Sequence, residues 1–412
     1  MSFLEKLLEG VKVEWKQLRD VCNDFIVPMR DRPKVFDGNI PWCRIEDKEG
    51  QYFNESRSGL CVSEDVIKKM NLKVYPTGTV ICSCSASIGS YAINTRPLIT
   101  NQTFIGLVCG DNLYNKYLLY FMETQTKTLL QLATTGTIPY ISRKKFEELQ
   151  IPIPCPEDPK KSLEIQQKIV AILDKFTELT AELTAELTAE LTARKQQYNY
   201  YREQLFDFDE TKVPHLPMGD ENVGKFIRGG GLQKKDFTES GVGCIHYGQV
   251  YTFYGTYTNK TKSFVSEEFA KKARKAKHGN LIIATTSEND EDVCKAVAWL
   301  GEEEIAVSSD ACFYSHKLDP KFVAYFFQTE QFQKQKRPFI TGAKVRRVNA
   351  DDIAKIKIPV PSPEEQERIA SILDKFDMLT TSISEGLPKE IELRTKQYAY
   401  YRDLLLTFPK GH

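Results

Sequence analysis

Two hydrophobic patterns alternate along the chain. Over 15–150 and 212–357, short apolar runs are separated by Gly, Asn, Pro and Asp, which is typical of β-strands joined by turns. The clearest of these runs are Val80–Cys84, Phe104–Val108, Leu281–Thr286 and Ala311–Tyr314. By contrast, 162–205 and 364–405 are rich in Leu, Ala, Glu, Lys, Gln and Arg, the strong helix formers. The pattern predicts an α+β protein with two mixed α/β globules, each followed by a long helix.

The two predicted helices are too long to be hidden in a small core. A helix of about 40 residues extends about 60 Å. We therefore expect the two helices to pair as an antiparallel, coiled-coil-like stalk. Ser162 and Ser362 stand near the predicted helix starts, where N-cap residues belong. Gly386-Leu387-Pro388 predicts a kink or break in the second helix.

The helical segments repeat each other at a constant offset. Ile172–Phe176 has the sequence ILDKF and recurs as Ile372–Phe376, 200 residues later. The same offset relates the helix ends, where Tyr198, Tyr200, Tyr201, Arg202, Leu205 and Phe208 recur as Tyr398, Tyr400, Tyr401, Arg402, Leu405 and Phe408. These matches predict an internal repeat with pseudo-two-fold symmetry.

The globules resemble each other less than the helices do. Ile151–Pro154 is similar to Ile358–Pro361, and Thr135-Gly136 corresponds to Thr341-Gly342, but beyond such short matches the similarity is loose. One scaffold is therefore expected to carry two different surfaces. We divide the chain into a first globule at 1–150, a helical region at 151–211, a second globule at 212–357 and a second helical region at 358–412.

The first residues of the chain echo the ends of the two helices. Glu5-Lys6-Leu7-Leu8 is similar to residues 203–206 and 403–406. One interpretation is that the chain begins partway through its own repeat, so that the two termini meet and close it. The alternative is a chance match between short amphipathic segments.

A four-residue array lies inside the first helix. Thr-Ala-Glu-Leu occupies 180–183, 184–187 and 188–191 and places a leucine stripe at Leu179, Leu183, Leu187 and Leu191. A four-residue period overshoots the 3.6-residue helical turn by about 40° per repeat, so the stripe drifts around the helix. We interpret the array as a setter of helix length, each unit adding about 6 Å. A low-complexity solvated helix is the alternative.

Composition narrows the class of protein. The 412 residues are 41% hydrophobic and 27% charged, which excludes a wholly disordered chain. Lys+Arg and Asp+Glu are both 56, which excludes a uniformly basic surface but not local basic patches. No 18-residue apolar run or secretory leader is found, so we expect a cytoplasmic protein. The ten cysteines contain no C-x-x-C and are expected to be small buried side chains rather than zinc ligands.

A search for catalytic motifs finds none. The sequence has no P-loop, no dinucleotide fingerprint after a strand, and no metal-like spacing among its five histidines. Two acidic strings, at 288–292 and 302–304, have no evident basic counterpart and are expected to face water. We therefore predict no catalytic residue, no metal and no cofactor bound by this chain.

Local basic clusters interleaved with polar loops favour DNA binding. One cluster comprises Lys271, Lys272, Arg274, Lys275 and Lys277, and another comprises Lys334, Lys336, Arg337, Lys344, Arg346 and Arg347. Polar loop residues that can bond base edges include Asn101, Gln102, Thr135, Thr137, Thr285 and Thr286. Lys and Arg bind phosphates, whereas Arg, Asn and Gln in a groove read bases. A solvated charged surface is the alternative.

The chain resembles the specificity subunits of type I restriction–modification systems. The resemblance is carried by Gly38–Arg44, by both ILDKF helices, by both Tyr-x-Tyr-Tyr-Arg helix ends and by the Thr-Ala-Glu-Leu array, which is similar to that of the IC-type branch. The second globule departs from the pattern, since Cys244–Gly248 stands where the first has Ile40-Pro41-Trp42.

The resemblance implies that each globule is a target recognition domain reading one half of a bipartite, asymmetric double-stranded DNA sequence. Arg44 then joins the candidate DNA-contacting residues. The helices would set the spacer and dock two modification subunits through the leucine stripe and through Tyr198, Tyr201, Arg202, Tyr398, Tyr401 and Arg402. Those partners would carry S-adenosylmethionine and methylate adenine, while restriction subunits would use ATP and Mg²⁺. The competing hypotheses are an accessory nuclease with an unfamiliar site and a coiled-coil scaffold.

Overall fold

The computed structural model describes residues 7–381 and 385–408. By its internal contacts the chain forms two compact units. Unit 1 comprises the residues up to Thr184 together with those from Leu393 onward, and unit 2 comprises Ala185–Glu392. Each unit thus contains one globule with parts of both helical regions, an arrangement that the linear division at residues 150, 211 and 357 does not express.

Unit 1 is built on a six-stranded sheet with the order β2-β10-β7-β8-β5-β4. A three-stranded sheet, β6-β3-β9, and a two-stranded one, β1-β11, complete it. The strands are β1 Val13–Gln17, β2 Cys22–Ile26, β3 Ile40–Cys43, β4 Lys48–Glu49, β5 Tyr52–Phe53, β6 Cys61–Val62, β7 Val80–Ser83, β8 Tyr91–Asn94, β9 Ile99–Thr100, β10 Phe104–Cys109 and β11 Gln150–Pro154.

Unit 2 contains two five-stranded sheets, β13-β23-β19-β21-β16 and β14-β17-β15-β22-β18, with the pairs β12-β25 and β20-β24. The strands are β12 His215–Pro217, β13 Gly224–Arg228, β14 Phe237–Thr238, β15 Val242–Ile245, β16 Tyr257–Thr258, β17 Ser263–Val265, β18 Lys275–Ala276, β19 Leu281–Ala284, β20 Thr286–Ser287, β21 Ala296–Trp299, β22 Ile305–Val307, β23 Ala311–His316, β24 Arg346–Arg347 and β25 Lys357–Pro359.

The two globules share one strand order despite their loose sequence similarity. β2-β10-β7-β8-β5 of unit 1 matches β13-β23-β19-β21-β16 of unit 2 strand for strand. The last pair is parallel in both, as are the pairs β3·β9 and β15·β22. Sequence comparison underestimated this likeness because a strand needs only apolar residues at buried positions. β10 and β23 differ at every position, yet they bury their first four residues in the same way.

The α-helices fall between and after the strands. They are α1 Leu18–Val21, α2 Glu64–Met70, α3 Asn115–Thr124, α4 Thr126–Leu132, α5 Arg143–Glu147, α6 Pro159–Leu205, α7 Tyr247–Thr252, α8 Glu267–Lys272, α9 Pro320–Phe326, α10 Glu330–Lys336, α11 Ala350–Ile353, α12 Pro363–Thr381 and α13 Gly386–Leu405. Short 3₁₀ turns lie at Ile45–Asp47, Lys234–Asp236 and Arg337–Phe339.

The ends of the long helices differ in part from the prediction. α6 begins at Pro159, so Ser162 lies inside the first turns, and its backbone N–H donates to the carbonyl of Asp158 at 2.9 Å. The predicted cap at Ser162 was therefore wrong. Ser362 does cap α12, since its Oγ accepts from Glu365 N at 3.3 Å. The predicted interruption of the second helical region is confirmed at Gly386, which begins α13 with a positive φ of 76° that a continuous helix does not allow.

A carboxylate repeated at the same position binds each helix to its own globule. Asp174 on α6 accepts from Lys116 Nζ and from Tyr120 Oη on α3, both at 2.8 Å. In unit 2, Asp374 on α12 accepts from Lys321 Nζ at 2.5 Å and from Tyr325 Oη at 2.7 Å. These carboxylates belong to the repeated ILDKF segment, whose preceding leucines, Leu173 and Leu373, are fully buried in the two cores.

The last turns of the other helical region complete each unit. In unit 1 the rings of Phe176 and Tyr401 stack with centroids 5.9 Å apart, and the hydroxyls of Thr177 and Tyr398 are hydrogen-bonded at 2.9 Å. Phe176 contacts Tyr401, whereas the next residue, Thr177, contacts the earlier Tyr398. The two helical segments therefore run antiparallel. In unit 2, Phe376 stacks on Tyr201 at 5.8 Å.

The two ends of the chain share one core. Leu406 and Phe408 are buried in the core of unit 1, and Leu7 and Leu8 pack against the same cluster. Residues near both ends of the chain therefore belong to one core, whereas the meeting of the termini themselves falls on residues 1–6 and 409–412, outside the described residues. In unit 2 the corresponding place is taken by Phe206, whose ring lies 4.8 Å from that of Phe322.

Candidate DNA interface

In both units, the same two backbone hydrogen bonds join the end of one core strand, the loop before another core strand and a hairpin loop. We call this arrangement the frame. In unit 2, Thr285 follows β19; its N–H donates to the carbonyl of Asp310 at 3.0 Å, and its carbonyl accepts from Val348 N at 3.1 Å. These two bonds bring together three segments that are far apart in sequence. The segments are the end of β19, the loop 308–310 and the hairpin loop 341–347, which its outer bonds close between Thr341 and Arg347 at 2.8 and 2.9 Å.

Unit 1 repeats this frame with different side chains. Cys84 N donates to the carbonyl of Thr103 at 2.8 Å, and the carbonyl of Cys84 accepts from Ile141 N at 2.9 Å. The loop 101–103 therefore corresponds to 308–310. The hairpin loop 134–140, closed by Thr134 N to the carbonyl of Tyr140 at 3.0 Å, corresponds to 341–347.

The structural alignment of these hairpin loops corrects the sequence match. Thr134, not Thr135, lies at the position of Thr341, because the N–H of each donates to the carbonyl of the residue six positions later. Thr135-Gly136 and Thr341-Gly342 are thus out of step by one residue. The sequence match followed the glycines, which do not have the same backbone role, since Gly342 alone has a positive φ, of 92°.

Several candidate residues of unit 2 come together at this frame. Thr286 in β20 pairs with Arg347 in β24, and Ser287 pairs with Arg346. A polar cleft beside them is lined by Arg228, Thr285, Thr286, Ser309, Asp310, Arg347, Asn349 and Asp351, among others. The side chain of Arg347 is exposed, whereas Thr286 is buried. Sequence reasoning missed Arg228 and Asn349, since neither belongs to a cluster along the chain.

The acidic strings of unit 2 face cations rather than water alone, contrary to expectation. Asp290 lies 2.7 Å from Nε of Arg346, whose guanidinium also donates to the carbonyl of Gly342 at 2.6 Å. Glu304 lies 3.3 Å from Nζ of Lys277 and 3.9 Å from that of Lys275. Partners distant in sequence hold these charges, which a reading along the chain does not detect.

Lys336 does not belong to a basic surface, although the sequence places it in one. Its side chain is fully buried, and its ammonium donates to the carbonyls of Asp290, Glu291 and Val293 at 2.8, 3.1 and 2.9 Å. Burial lowers the pKa of this ammonium, and the nearby Cys294 and acidic groups oppose that shift. Lys336 therefore fastens the acidic loop whose Asp290 holds Arg346.

The other basic cluster of unit 2 surrounds the end of α8. Lys271 and Lys272 are exposed in its last turn. Arg274 follows them, and its guanidinium donates to the carbonyl of Arg228 at 3.0 Å. These cations therefore adjoin the strand that borders the polar cleft, and Lys344 is exposed on the hairpin loop at that cleft.

The candidate residues of unit 1 are more dispersed. Arg44 follows β3; its guanidinium lies 2.8 Å from Glu46 and over the ring of Trp42. In unit 2 the equivalent position is His246, since both residues follow matched strands and donate their N–H to a side chain three residues on. Burial lowers the pKa of His246.

The polar loops of unit 1 divide into bonded and free side chains. Asn101 accepts from the hydroxyl of Thr103 at 2.6 Å and so shapes its own turn. Gln102, Thr135 and Thr137 are exposed. The exposed side chains lie on the two loops that Cys84 joins, so they share one side of the frame.

Most of the predicted docking residues on the helices have partners within their own unit. Tyr198 is buried and donates to Gln328 at 3.0 Å, while Tyr398 bonds Thr177. Arg402 lies 3.3 Å from Glu123, whose pKa burial raises and Arg402 lowers in part. Arg202 contacts Glu203 at 3.1 Å and lies over the ring of Tyr198.

Two neighbouring tyrosines are exposed near the end of each helical region, at positions that the internal repeat makes equivalent. Tyr200 and Tyr400 are 62% and 64% exposed, and Tyr201 and Tyr401 are 41% and 40% exposed. In each pair the rings meet edge to face, with centroids about 5.5 Å apart at Tyr200–Tyr201 and 5.4 Å apart at Tyr400–Tyr401. Tyr200 and Tyr400 were absent from the predicted docking set, although the Tyr-x-Tyr-Tyr-Arg repeat contains them.

The leucine stripe of the array is unevenly covered. Leu187 is buried, Leu183 and Leu191 are half-buried, and Leu179 is 52% exposed. This unevenness is expected of a stripe that drifts around the helix. The stripe therefore contributes to packing near its centre and leaves its first residue in contact with solvent.

Comparison with known proteins identifies the family. The family model of the type I restriction modification DNA specificity domain matches twice, over residues 11–193 and 221–393. The chain belongs to the type I restriction–modification specificity family. It is 31% identical to the specificity subunit of the type I restriction enzyme EcoR124I/EcoR124II of Escherichia coli, over 100% of this chain and 98% of that protein. A putative specificity subunit from Haemophilus influenzae is 32% identical over 99% and 98%.

Solved structures of the type I family share the fold. A chain from a study of complex assembly in the type I restriction–modification system aligns over 96% of this chain and 97% of its own, with a TM-score of 0.69 and 14% identity. The HsdS subunit from Thermoanaerobacter tengcongensis aligns over 96% and 95%, with a TM-score of 0.53 and 14% identity. The two family matches correspond to the two globules with their helices, which are the two recognition domains of a specificity subunit.

As a specificity subunit, this chain is the non-catalytic component of a restriction–modification complex and binds no cofactor of its own. Its partners are DNA and the other subunits of that complex. Among residues 7–381 and 385–408, no group of three or more His, Cys, Asp or Glu is arranged to hold a metal ion. No helix in the same ranges has the length and apolar character needed to cross a membrane. All ten cysteines are free thiols.

Proposed function

We propose that this specificity subunit reads a bipartite, asymmetric DNA sequence, one half with each recognition domain. The observation that carries the proposal is the shared frame with different side chains. The loop 101–103 has Asn, Gln and Thr where 308–310 has Ser, Ser and Asp. The hairpin loop 134–140 reads TTGTIPY where 341–347 reads TGAKVRR. Equal backbone geometry with unequal hydrogen-bonding groups is what two readers of different base sequences need.

Within unit 2 we assign base reading to Arg347 and support of the loop to Arg346. Arg347 is exposed beside the polar cleft, whereas Arg346 is bound by Asp290 and by the carbonyl of Gly342. A free guanidinium can bind guanine O6 and N7 together. Lys271, Lys272, Lys275 and Lys344, with Arg44 and Arg274, would contact phosphates, which position DNA without reading it.

The exposed tyrosine pairs, Tyr200–Tyr201 and Tyr400–Tyr401, are the proposed docking surfaces for modification subunits. Aromatic side chains at exposed positions are frequent anchors of protein interfaces. Because the pairs are equal and occur twice, two modification subunits would bind, one at each. These would carry S-adenosylmethionine and methylate adenine, and restriction subunits would use ATP and Mg²⁺. Acting on chromosomal DNA, the complex would work in the cytoplasm.

The test of base reading is a substitution in the reconstituted methyltransferase. Methylation mapping of host DNA first gives the target of the unchanged chain. Arg347→Ala is then expected to weaken discrimination at one base pair of one half-site by about 5- to 150-fold, because a bidentate contact contributes about 1–3 kcal/mol. Lys212→Ala is the control, because Lys212 is an exposed cation of unit 2 that lies outside both basic clusters and pairs with Asp209.

The outcome of this test separates the alternatives. Relaxed preference confined to one half-site supports the proposal, and the other half-site should keep its own bases. An unchanged sequence preference with Arg347→Ala would show that the exposed guanidinium does not read a base.

A further inference from the structure

The two hairpin loops share one feature that base reading does not use. Ile138 in unit 1 and Val345 in unit 2 are 65% and 50% exposed, so both are apolar side chains in contact with solvent. Both are the fifth residue of their seven-residue loop, counted from Thr134 and Thr341, which the closing hydrogen bonds make equivalent. The loops otherwise share little, yet each has a β-branched aliphatic residue at this position.

The loop backbone holds both side chains outward. In unit 2, Gly342 has a φ of 92°, and a Cβ there would lie 2.1 Å from the carbonyl oxygen of Val345, so only glycine allows this close turn. Thr341 Oγ1 also donates to the carbonyl of Arg347 at 3.2 Å. In unit 1, Thr134 Oγ1 accepts from Tyr140 N at 3.2 Å. Each aliphatic tip is therefore presented by a closed loop.

We infer that Ile138 and Val345 are wedges that insert at a base step in each half-site and help to take the adenine out of the stack. The inference rests on the proposed function. A base that is to be methylated must leave the helix, which costs a few kcal/mol of stacking and pairing. In other DNA-distorting proteins, apolar side chains inserted between base steps partially unstack the bases. The task is the same in both half-sites, which accounts for equal chemistry on loops that otherwise differ.

The surroundings favour DNA over a protein partner. Val345 directly follows Lys344, assigned above to a phosphate contact, and lies two residues before the exposed Arg347, assigned above to base reading, so its neighbours already face DNA under the proposed function. A protein interface buries about 800 Å² on each partner around several apolar residues. The unit 2 loop around its tip instead consists of small or charged residues, and in unit 1 the apolar neighbours of Ile138 within the loop are Pro139 and Tyr140, which are too few for such an interface. The exposed tyrosines on the helices fit a protein partner better.

The test uses the full chain reconstituted with its modification subunits, with 2-aminopurine replacing the target adenine of one half-site at a time. The fluorescence of 2-aminopurine rises when that base leaves the base stack. Ile138→Ala should suppress the rise at one half-site only, and Val345→Ala should suppress it at the other. Methylation is measured separately on the unmodified duplex, because 2-aminopurine lacks the 6-amino group that is methylated, and each variant should slow it by about tenfold at the same half-site. Ile138→Val and Val345→Ile, which keep a branched tip, should restore both signals. Leu130→Ala is the matched control, because Leu130 is 51% exposed but lies on α4.

Each outcome has one meaning. Loss confined to the half-site of the altered domain supports the wedge. Unchanged fluorescence and methylation, with specific binding intact, would overturn the wedge and leave the proposed function standing. Loss of the modification subunits on gel filtration would overturn it in favour of a protein contact. Failure of the unaltered complex to bind its mapped target would instead refute the proposed function itself.

Discussion

At the scale of single residues, side chains that sequence analysis treats as surface charge often work inside the protein. Lys336 binds three carbonyls, and Asp290 holds Arg346, so the position of a candidate DNA contact depends on a buried ammonium two loops away. The sequence identified the basic clusters but could not assign roles within them. Partners such as Lys336 and the 290–293 loop are more than 40 residues apart, and only the fold brings them together.

His316 gives a residue-scale prediction for stability. Its Nδ1 lies 3.1 Å from the carbonyl of Leu318 and therefore carries the proton, while its buried Nε2 has no partner. Burial lowers its pKa to about 4. The unfolded chain, with a histidine pKa of about 6.5, binds the proton more readily, so stability falls as pH decreases from 6.5 toward 4.

Replacing this histidine should flatten the pH dependence. His316→Asn keeps a donor for the Leu318 carbonyl but does not titrate. Between pH 7 and pH 5 the free energy of unfolding of the unchanged protein should fall by about 2 kcal/mol more than that of the variant, measured by urea unfolding of unit 2. Equal pH dependence of the two proteins would contradict a buried neutral His316.

At the scale of elements, the sequence was most reliable for the helices and the core strands. α6, the interruption at Gly386 and four core strands were predicted, because long helical composition and short apolar runs are local signals. The cap at Ser162 was wrong because Pro159 already starts the helix, an N-terminal preference of proline that outweighs a serine three residues later. The pairing of β20 with β24, and with it the frame of the candidate DNA interface, depends on contacts between distant segments and had no local signal.

The array within α6 gives an element-scale prediction. Deleting Thr184–Leu187 removes one four-residue unit, which shortens the helix by about 6 Å and rotates its remaining C-terminal part by about 40°. The leucine stripe stays in phase, so folding should persist. If the helix sets the distance between the two readers, the target spacer should shorten by one or at most two base pairs, since base pairs rise about 3.4 Å.

Methylation mapping of host DNA measures this spacer directly. Each half-site should keep its own bases in the deletion variant. As a control, replacing the same four residues with Ala-Ala-Glu-Leu preserves the length and should leave the spacer unchanged. An unaltered spacer in the deletion variant would favour a solvated helix with no role in spacing.

At the scale of the whole molecule, the internal repeat includes the globules as well as the helices, and so extends further than the sequence similarity indicates. ILDKF and the tyrosine motifs revealed the duplicated helices, whereas the equal strand order of the globules was hidden by sequence divergence. The Asp174 and Asp374 networks show how a repeated helix recognises two different globules, since each carboxylate finds a Lys and a Tyr four residues apart. The contacts common to both units lie at the helices, whereas the sequence differences between the units lie in the loops.

The shared core of the two chain ends predicts tolerance to circular permutation. Leu7, Leu8, Leu406 and Phe408 belong to or pack against one cluster, so we expect that a Gly/Ser linker can join residue 412 to residue 1. New ends opened between Glu210 and Thr211, in an exposed loop, should leave the mapped target unchanged and the Tm within a few degrees. Opening the chain at Glu182 inside α6 is the control and should abolish specific methylation. Loss of folding with ends at Glu210 would contradict the packing of the termini.

The completion of each unit by the end of the other helix bears on ancestry. A chain with one globule and one helix would lack the segment that Tyr401 or Tyr201 supplies, and a second identical copy could provide it. Two identical copies that exchange helix ends would carry two identical recognition domains in inverted orientation, so their DNA target would be a palindrome. Fusing the copies into one chain frees each loop set to mutate alone. On this view, an asymmetric DNA target is a product of duplication followed by divergence. Exchange of one globule between relatives would then create a new target sequence in a single genetic step.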